Sequence, residues 1–274
     1  MKKKILSYAL YILVVAFLAF YVIFPMQDLI RPPVRDYPEI AQEGVLHAVT
    51  EYNAVGFHVE GDTVSGFHYD LIQAFAQAHG LEVEVTPEMS FEQRLRGLEK
   101  ARYDVLAYSL LATMPLRDSL LLTHPVALNK DVLVQRRPLT PEDSAAFISS
   151  ALKLAKRTVH VVTGSPSMLR IRNLSDEIGD TIYVREFGRY GPEQLIAMVA
   201  HGDIDYAVCD ESVARLAAER MPEVDISTAI GFTQFYTWAV SRRSPQLLDS
   251  LNAWIDAFTQ TKAYKEIYRK HHGL

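Results

Sequence analysis

The sequence predicts an α/β protein of two lobes behind one apolar N-terminal segment. Three observations carry this. Strand-like and helix-like stretches alternate along most of the chain. The alternation runs in two successive sets joined by strand-like crossings, which predicts two lobes with a cleft between them. And "MKKK" is followed by "ILSYALYILVVAFLAFYVIF", Ile5 to Phe24, without a charged residue.

The apolar segment comes first. At about 1.5 Å per residue it is about 30 Å long as a helix, enough to cross a bilayer. Lys2, Lys3 and Lys4 predict that its start stays cytoplasmic and the rest of the chain lies outside. The expectation is an uncleaved single-pass anchor over residues 1–24 in the inner membrane, with the folded part in the periplasm. A cleaved signal peptide is the alternative. Its apolar region is usually shorter, about 7–15 residues, and ends in small residues, whereas this run ends in bulky "FYVIFPMQ". Residues 25–44 hold several prolines and charges and read as an extended linker.

The folded part opens with "VLHAVTEYN", a short strand ending in polar residues. "GFHVEGDTVSGFHYD" follows, with Gly61-Asp62 as a hairpin turn. "YDLIQAFAQAHG" places Leu71, Ile72, Phe75, Ala76 and His79 at helical spacing, and Gly80 supplies the stop. "LEVEVTP" alternates as a strand. "SFEQRLRGLEK" is a helix capped by Ser90, with Leu95 and Leu98 on one face. "YDVLAYSLL" is apolar on both faces, as in a sheet covered by helices. The second set begins with the strand "DVLVQRR". The stretch "EDSAAFISSALKLAKR" reads as a helix, "TVHVVTG" as a strand, and "SPSMLRIRNL" as a helix starting at its Ser-Pro. "TIYVREF" is a strand. "YGPEQLIAMVAHG" is a helix with Pro192 near its start and Gly202 at its end. "IDYAVCD", "ESVARLAAERM" and "FTQFYTWAVSR" read as strand, helix and strand, and two closing helices follow. The predicted division is residues 45–134 for the first lobe, 135–229 for the second, and 230–274 returning to the first.

Bulk properties exclude several function classes. A net charge of −5 without a basic stripe gives no reason to expect nucleic acid. One cysteine, Cys209, rules out an intramolecular disulfide; in "DYAVCDE" it reads as a small core residue without an obvious base beside it. No zinc-protease, nucleophile-elbow or phosphate-loop motif occurs, so no metal, cofactor or catalytic residue is assigned. The pair His271-His272 reads as a solvated tail, and the basic residues before it complement the negative end of a helix dipole.

Several stretches together carry a family resemblance. "GFHYDLIQAFAQAHGLEVEV" resembles the "GFDVDLAKAIAKELG" signature of the family 3 periplasmic solute-binding proteins of the amino-acid-binding type. "GLEKARYDVLAYSLLATMPLRDSLLLTHPV" is similar to that family's block with T-x-x-R and F-S-x-P, and "VVTGSPS" to its V-x-x-G-T loop. "HGDIDYAVCDESVARLAA" resembles its G-x-x-D-A strand, and the closing helices also match, so the likeness runs in order over about residues 45–272. It is closest to the non-catalytic solute-binding module of the membrane-bound lytic transglycosylase F group, where a separate catalytic domain follows; it therefore carries no lyase activity over. The implied fold is the type II two-lobed periplasmic-binding-protein fold with a hinge.

The resemblance implies site residues. Arg117 matches the arginine that holds a ligand α-carboxylate, where a planar guanidinium fits two parallel charge-assisted bonds; pairing with Asp118 or reaching to solvent is the plainer alternative. Asp210 matches the acid that receives the α-amino group, with helix capping as its alternative. Gly164, Ser165 and Ser167 precede a helix whose free N–H groups suit an anion. Glu51 stands where some members read a cationic side chain, and Tyr52 beside it offers a stacking face. Thr113 stands near a position usually held by a small hydroxyl residue, while Ala112 occupies that position itself. The implied function is binding of a small zwitterion, such as an amino acid or short peptide, for transport or sensing. The implied partners are an importer of the ABC type or a cell-wall enzyme. Two alternatives stay open. One is a dehydratase-like enzyme of the same fold, for which Glu51, His124 and Glu211 are the candidate acids and bases. The other is a ligand-blind module that regulates a partner.

Overall fold

Among the described residues the fold is built on two large β-sheets, each with helices against it, beside a two-stranded sheet of residues 58–60 and 63–65. The computed structural model describes residues 33–140, 144 and 146–272, so the expected anchor over Ile5–Phe24 lies outside the described residues. Among the described residues no helix is long and apolar enough to cross a membrane.

In chain order the elements are α1 (Tyr37–Glu43), β1 (Val45–Thr50), β2 (His58–Glu60), β3 (Thr63–Ser65), α2 (Phe67–Ala78), β4 (Glu82–Pro87), α3 (Phe91–Glu99), β5 (Val105–Leu111), α4 (Met114–Ser119), β6 (Leu120–Leu122) and β7 (Ala127–Asn129). The second set is β8 (Asp131–Arg136), a 3₁₀ turn (Ala151–Leu154), β9 (Thr158–Val162), α5 (Pro166–Ile178), β10 (Tyr183–Phe187), α6 (Pro192–His201), β11 (Tyr206–Asp210), α7 (Glu211–Arg220) and β12 (Val224–Ala229). The chain then returns through β13 (Gln234–Ser241), α8 (Pro245–Phe258) and α9 (Lys262–His272).

The first sheet has the order β4-β1-β5-β13-β6, with β7 also paired to β13. β1 runs parallel to β4 and β5, and β13 enters antiparallel to β5. The second sheet has the order β10-β9-β11-β8-β12, with β9 parallel to β10 and β11, and β8 antiparallel to β11 and β12. The sheets are covered by helices, which is why β5 and β8 read as apolar runs rather than alternating ones. Core residues such as Leu46, Phe75 and Trp238 are shut off from solvent in the first lobe, and Leu133, Val159 and Ile171 in the second.

Two crossings join the lobes: Lys130 between β7 and β8, and residues 230–233 between β12 and β13. They run side by side, since Ile230 N donates to Asp131 O at 2.9 Å and Gln234 pairs with Asn129. β8 belongs wholly to the second sheet, so the first crossing falls at Lys130 rather than at 134–135.

Three expectations are corrected. The linker expected over 25–44 is folded at its end, because α1 occupies Tyr37–Glu43. Asp36 caps it, with Tyr37 N donating to Oδ1 at 2.8 Å, while Glu39 accepts from Asp36 N at 2.9 Å. The same Asp36 carboxylate accepts from Gln246 N and Leu247 N at the start of α8. Arg35 pairs with Asp104 and Glu43, so residues 35–43 belong to the first lobe. Second, the helix expected over 142–157 is, among its described residues, only the 3₁₀ turn Ala151–Leu154. The Gln135 side chain holds the Ile148 backbone by both its groups, at 2.7 and 2.8 Å, and Thr228 Oγ1 also donates to Ile148 O. A backbone bonded in this way has no free groups for a helix. Third, His271 and His272 are no solvated tail: they are 3% and 4% exposed. His271 lies 2.6 Å from Asp70, and the His272 ring stacks on Tyr268 at 4.0 Å between centroids.

Candidate functional site

The ends of several elements meet between the lobes. From the first lobe come the C-terminal ends of β1 and β5; from the second come the N-termini of α5, α6 and α7. A crevice at the carboxyl ends of parallel strands is where open α/β sheets place ligands. It holds a cavity of about 70 Å³ lined by residues of both lobes, including Glu51, Ser109, Asp131, Ser165 and Asp210. A larger cavity of about 450 Å³ shares Glu51, Ser109, Ser165 and Pro166 with it, and Arg94, Tyr108, Thr113 and Gly164 also line it.

Two carboxylates dominate the smaller cavity. Asp210 ends β11 and caps α7, its Oδ1 accepting from Ser212 N at 2.8 Å, Val213 N at 3.4 Å and Asn129 Nδ2 at 2.7 Å. Both the capping reading and the cleft placement therefore hold for it. Asp131 opens β8 at the first crossing and is 4% exposed. Its Oδ1 accepts from Ser167 Oγ at 3.0 Å, while its Oδ2 is buried without a hydrogen-bond partner. Burial pushes Asp131 up to about 6. Burial, with the Asp131 charge added, pushes Asp210 up to about 7. Glu193, at the start of α6, is also raised by burial and accepts from Ala54 N across the cleft at 2.6 Å. The cleft is thus rich in buried carboxylates, with Lys130 turned to Glu211.

The remaining expected residues divide into two groups. Glu51, Ser165 and Ser167 join Asp210 at the smaller cavity, and Thr113 and Gly164 line the larger one. Ser165 caps α5 by position, but its hydroxyl is buried and makes no hydrogen bond. Gly164 has φ +75 and packs against Phe91 of the other lobe; a Cβ there would lie 2.6 Å from the Phe91 ring. Arg117 and Tyr52 lie outside both cavities. Residues one apart on a helix point about 100° apart, so α4 turns Leu116 toward the larger cavity and Arg117 to solvent. The Arg117 guanidinium has no ion pair among the described residues. Tyr52 is exposed beside Phe57, on a separate groove. The candidate acids and bases are also dispersed: His124 is exposed and pairs with Asp256 at 2.8 Å, and Glu211 pairs with Lys130 and Arg215.

Sequence reasoning missed Asp131, Arg94, Ser109 and His68. Arg94 on α3 is 3% exposed, lies 4.2 Å over the Tyr108 ring and faces Glu51 at 3.7 Å. Its signal was its place four residues before Leu98, on the buried face of α3. Asp131 had a better signal, an acid opening the apolar run "DVLV".

Comparison with known proteins agrees with this fold. The profile of the bacterial extracellular solute-binding proteins, family 3, matches residues 46–274. A membrane-bound lytic murein transglycosylase F of Desulfosudis oleivorans is 29% identical over 236 residues, covering 85% of this chain and 50% of that protein. The chain spans about half the length of the curated relatives it matches. An amino acid ABC transporter substrate-binding protein of Streptococcus pneumoniae, bound to L-arginine, superposes with a TM-score of 0.72 at 18% identity, covering 86% of this chain and 98% of that one. An ancestral amino acid-binding protein, a precursor of cyclohexadienyl dehydratase, superposes with a TM-score of 0.73 at 20% identity, covering 86% and 98%.

Proposed function

The chain belongs to the bacterial extracellular solute-binding proteins, family 3, and from that membership we propose that its cleft binds a small ammonium-bearing solute such as an amino acid or short peptide. The observation that supports this is the Asp131–Asp210 pair in a cavity lined by both lobes, with Asp131 Oδ2 buried and unpartnered. An ammonium group supplies the missing donors and offsets the buried charge. Arg117 sits at the rim, on a short helix of which Pro115, Leu116 and Ser119 line the larger cavity. As an exposed cation whose guanidinium has no ion pair among the described residues, it is free to turn inward over a ligand carboxylate. The lobes close on the ligand by bending at Lys130 and residues 230–233, because contacts from both lobes exist only in the closed form.

The chain acts as a binding module rather than a catalyst, tethered to the membrane by residues 5–24, and serves uptake or sensing. The names of its curated relatives favour a cell-wall enzyme as partner; that of the streptococcal protein favours an importer. A thermal-shift panel of amino acids on the full chain tests the binding reading. An amino acid at 100 times its dissociation constant stabilises by about 2.7 kcal/mol. The expected result is a hit whose shift Asp210→Asn reduces; no shift with any amino acid, or an undiminished shift in the variant, overturns the reading.

A further inference from the structure

Beneath the cleft floor lies a chain of hydrogen bonds that the ligand reading does not require. Trp238 on β13 is fully buried, and its indole Nε1 lies 3.0 Å from His68 Nδ1. The other ring nitrogen of His68, Nε2, lies 3.0 Å from Ser109 Oγ on β5. Ser109 lines both cavities.

The direction of each bond follows from chemistry. An indole N–H can only donate, so His68 Nδ1 accepts and carries no proton. Burial, with His272 and His271 nearby, pushes His68 down to about 3, so its ring is neutral and holds one proton. That proton is on Nε2, and it points at Ser109 Oγ. The hydroxyl oxygen is thereby an acceptor, and its own hydrogen is left over. No second partner for Ser109 Oγ exists among the described residues.

We propose that Ser109 is a hydrogen-bond donor to the bound solute, with Trp238 and His68 as the residues that turn its proton into the cleft. The cleft then favours solutes that place an oxygen acceptor against β5, where the hydroxyl proton is otherwise left without a partner. The proposal rests on the ammonium-solute reading for its ligand, but the proton's position does not.

The test has two readouts on the full chain. Long-range ¹H–¹⁵N spectra report the tautomer of His68, whose resonances are assigned by their loss in His68→Gln. The Nε2–H form at neutral pH is expected; the Nδ1–H form or an imidazolium overturns the proposal whether or not a ligand is found. Titration of the twenty amino acids against wild type, Ser109→Ala and Ser109→Thr follows. Those that bind wild type are expected to lose about tenfold or more in affinity with Ser109→Ala and to keep most of it with Ser109→Thr. Unchanged affinity in Ser109→Ala overturns the donor role. If no amino acid binds wild type while His68 is the Nε2–H form, the amino-acid reading fails and the orientation of the hydroxyl stands.

Discussion

Asp131 and Asp210 set the behaviour of the cleft at the scale of single residues. Their pKa values in the folded chain, about 6 and about 7, lie above the ordinary carboxylate value. The native state therefore holds protons that the unfolded chain has released. This contribution favours folding most at low pH and is lost as pH rises through 6 and 7. His68 and His272 act oppositely. Burial holds them at about 3 and about 4, so the unfolded chain takes up protons that the native ring refuses, and stability falls as pH drops below the ordinary histidine value. The two effects are separable by substitution. Asp210→Asn removes a buried charge, and urea unfolding is expected to show it gaining on wild type by about 1 kcal/mol or more between pH 5 and pH 8. A difference between variant and wild type that stays the same at both pH values would refute the raised pKa. Asp210 was legible because its motif marks the end of a strand. Asp131 was not, since one acid before an apolar run fits a sheet edge as well as a ligand site. The Trp238–His68–Ser109 chain was invisible because its members are far apart in sequence and meet only where α2 packs on the paired strands β5 and β13.

Most elements were legible, and those missed fail for identifiable reasons. The long helices and parallel strands show their periodicity directly. β6 and β7 are too short to display one. The segment around Ile148 has a helix-forming composition, but its backbone is taken by Gln135 and Thr228. α1 was hidden by the prolines in and before it, although Pro38 falls in its first turn, where proline is tolerated. Capping gives a quantitative test here. Asp36 serves the starts of both α1 and α8, whereas Ser90 caps α3 alone through Gln93 N. Asp36→Ala is expected to cost about 2 kcal/mol and Ser90→Ala about 1 kcal/mol by chemical unfolding. Equal costs would mean that the shared cap does not hold both helices. The same reasoning applies to α9. Burial alone would raise Asp70, but the bonds to His271 and Lys270 outweigh it and hold its pKa low. Its stabilising contribution is present above the ordinary carboxylate pKa and is lost as pH falls through the lower folded one.

At the scale of the two lobes together, the proposed binding depends on their meeting over the cleft. Ala54 N bonds Glu193 across the cleft, and Gly164 sits on Phe91. Gly164 combines a positive φ with a contact that leaves no room for a methyl group, so Gly164→Ala strains the loop and obstructs closure together. The variant is expected to bind ligand at least tenfold more weakly while staying folded by circular dichroism; wild-type affinity would mean that the lobes need not meet there. The central claim is that the buried carboxylate pair holds the ammonium group of a ligand. The most direct test is calorimetric titration of the best-binding amino acid at pH 5 and pH 8, in wild type and in Asp210→Asn. An ionised pair is needed for a cation, so wild type is expected to bind more tightly at pH 8 by about tenfold or more, with a smaller dependence in the variant, where only Asp131 still titrates. Equal affinity at both pH values, or the same pH dependence in Asp210→Asn, would contradict the account.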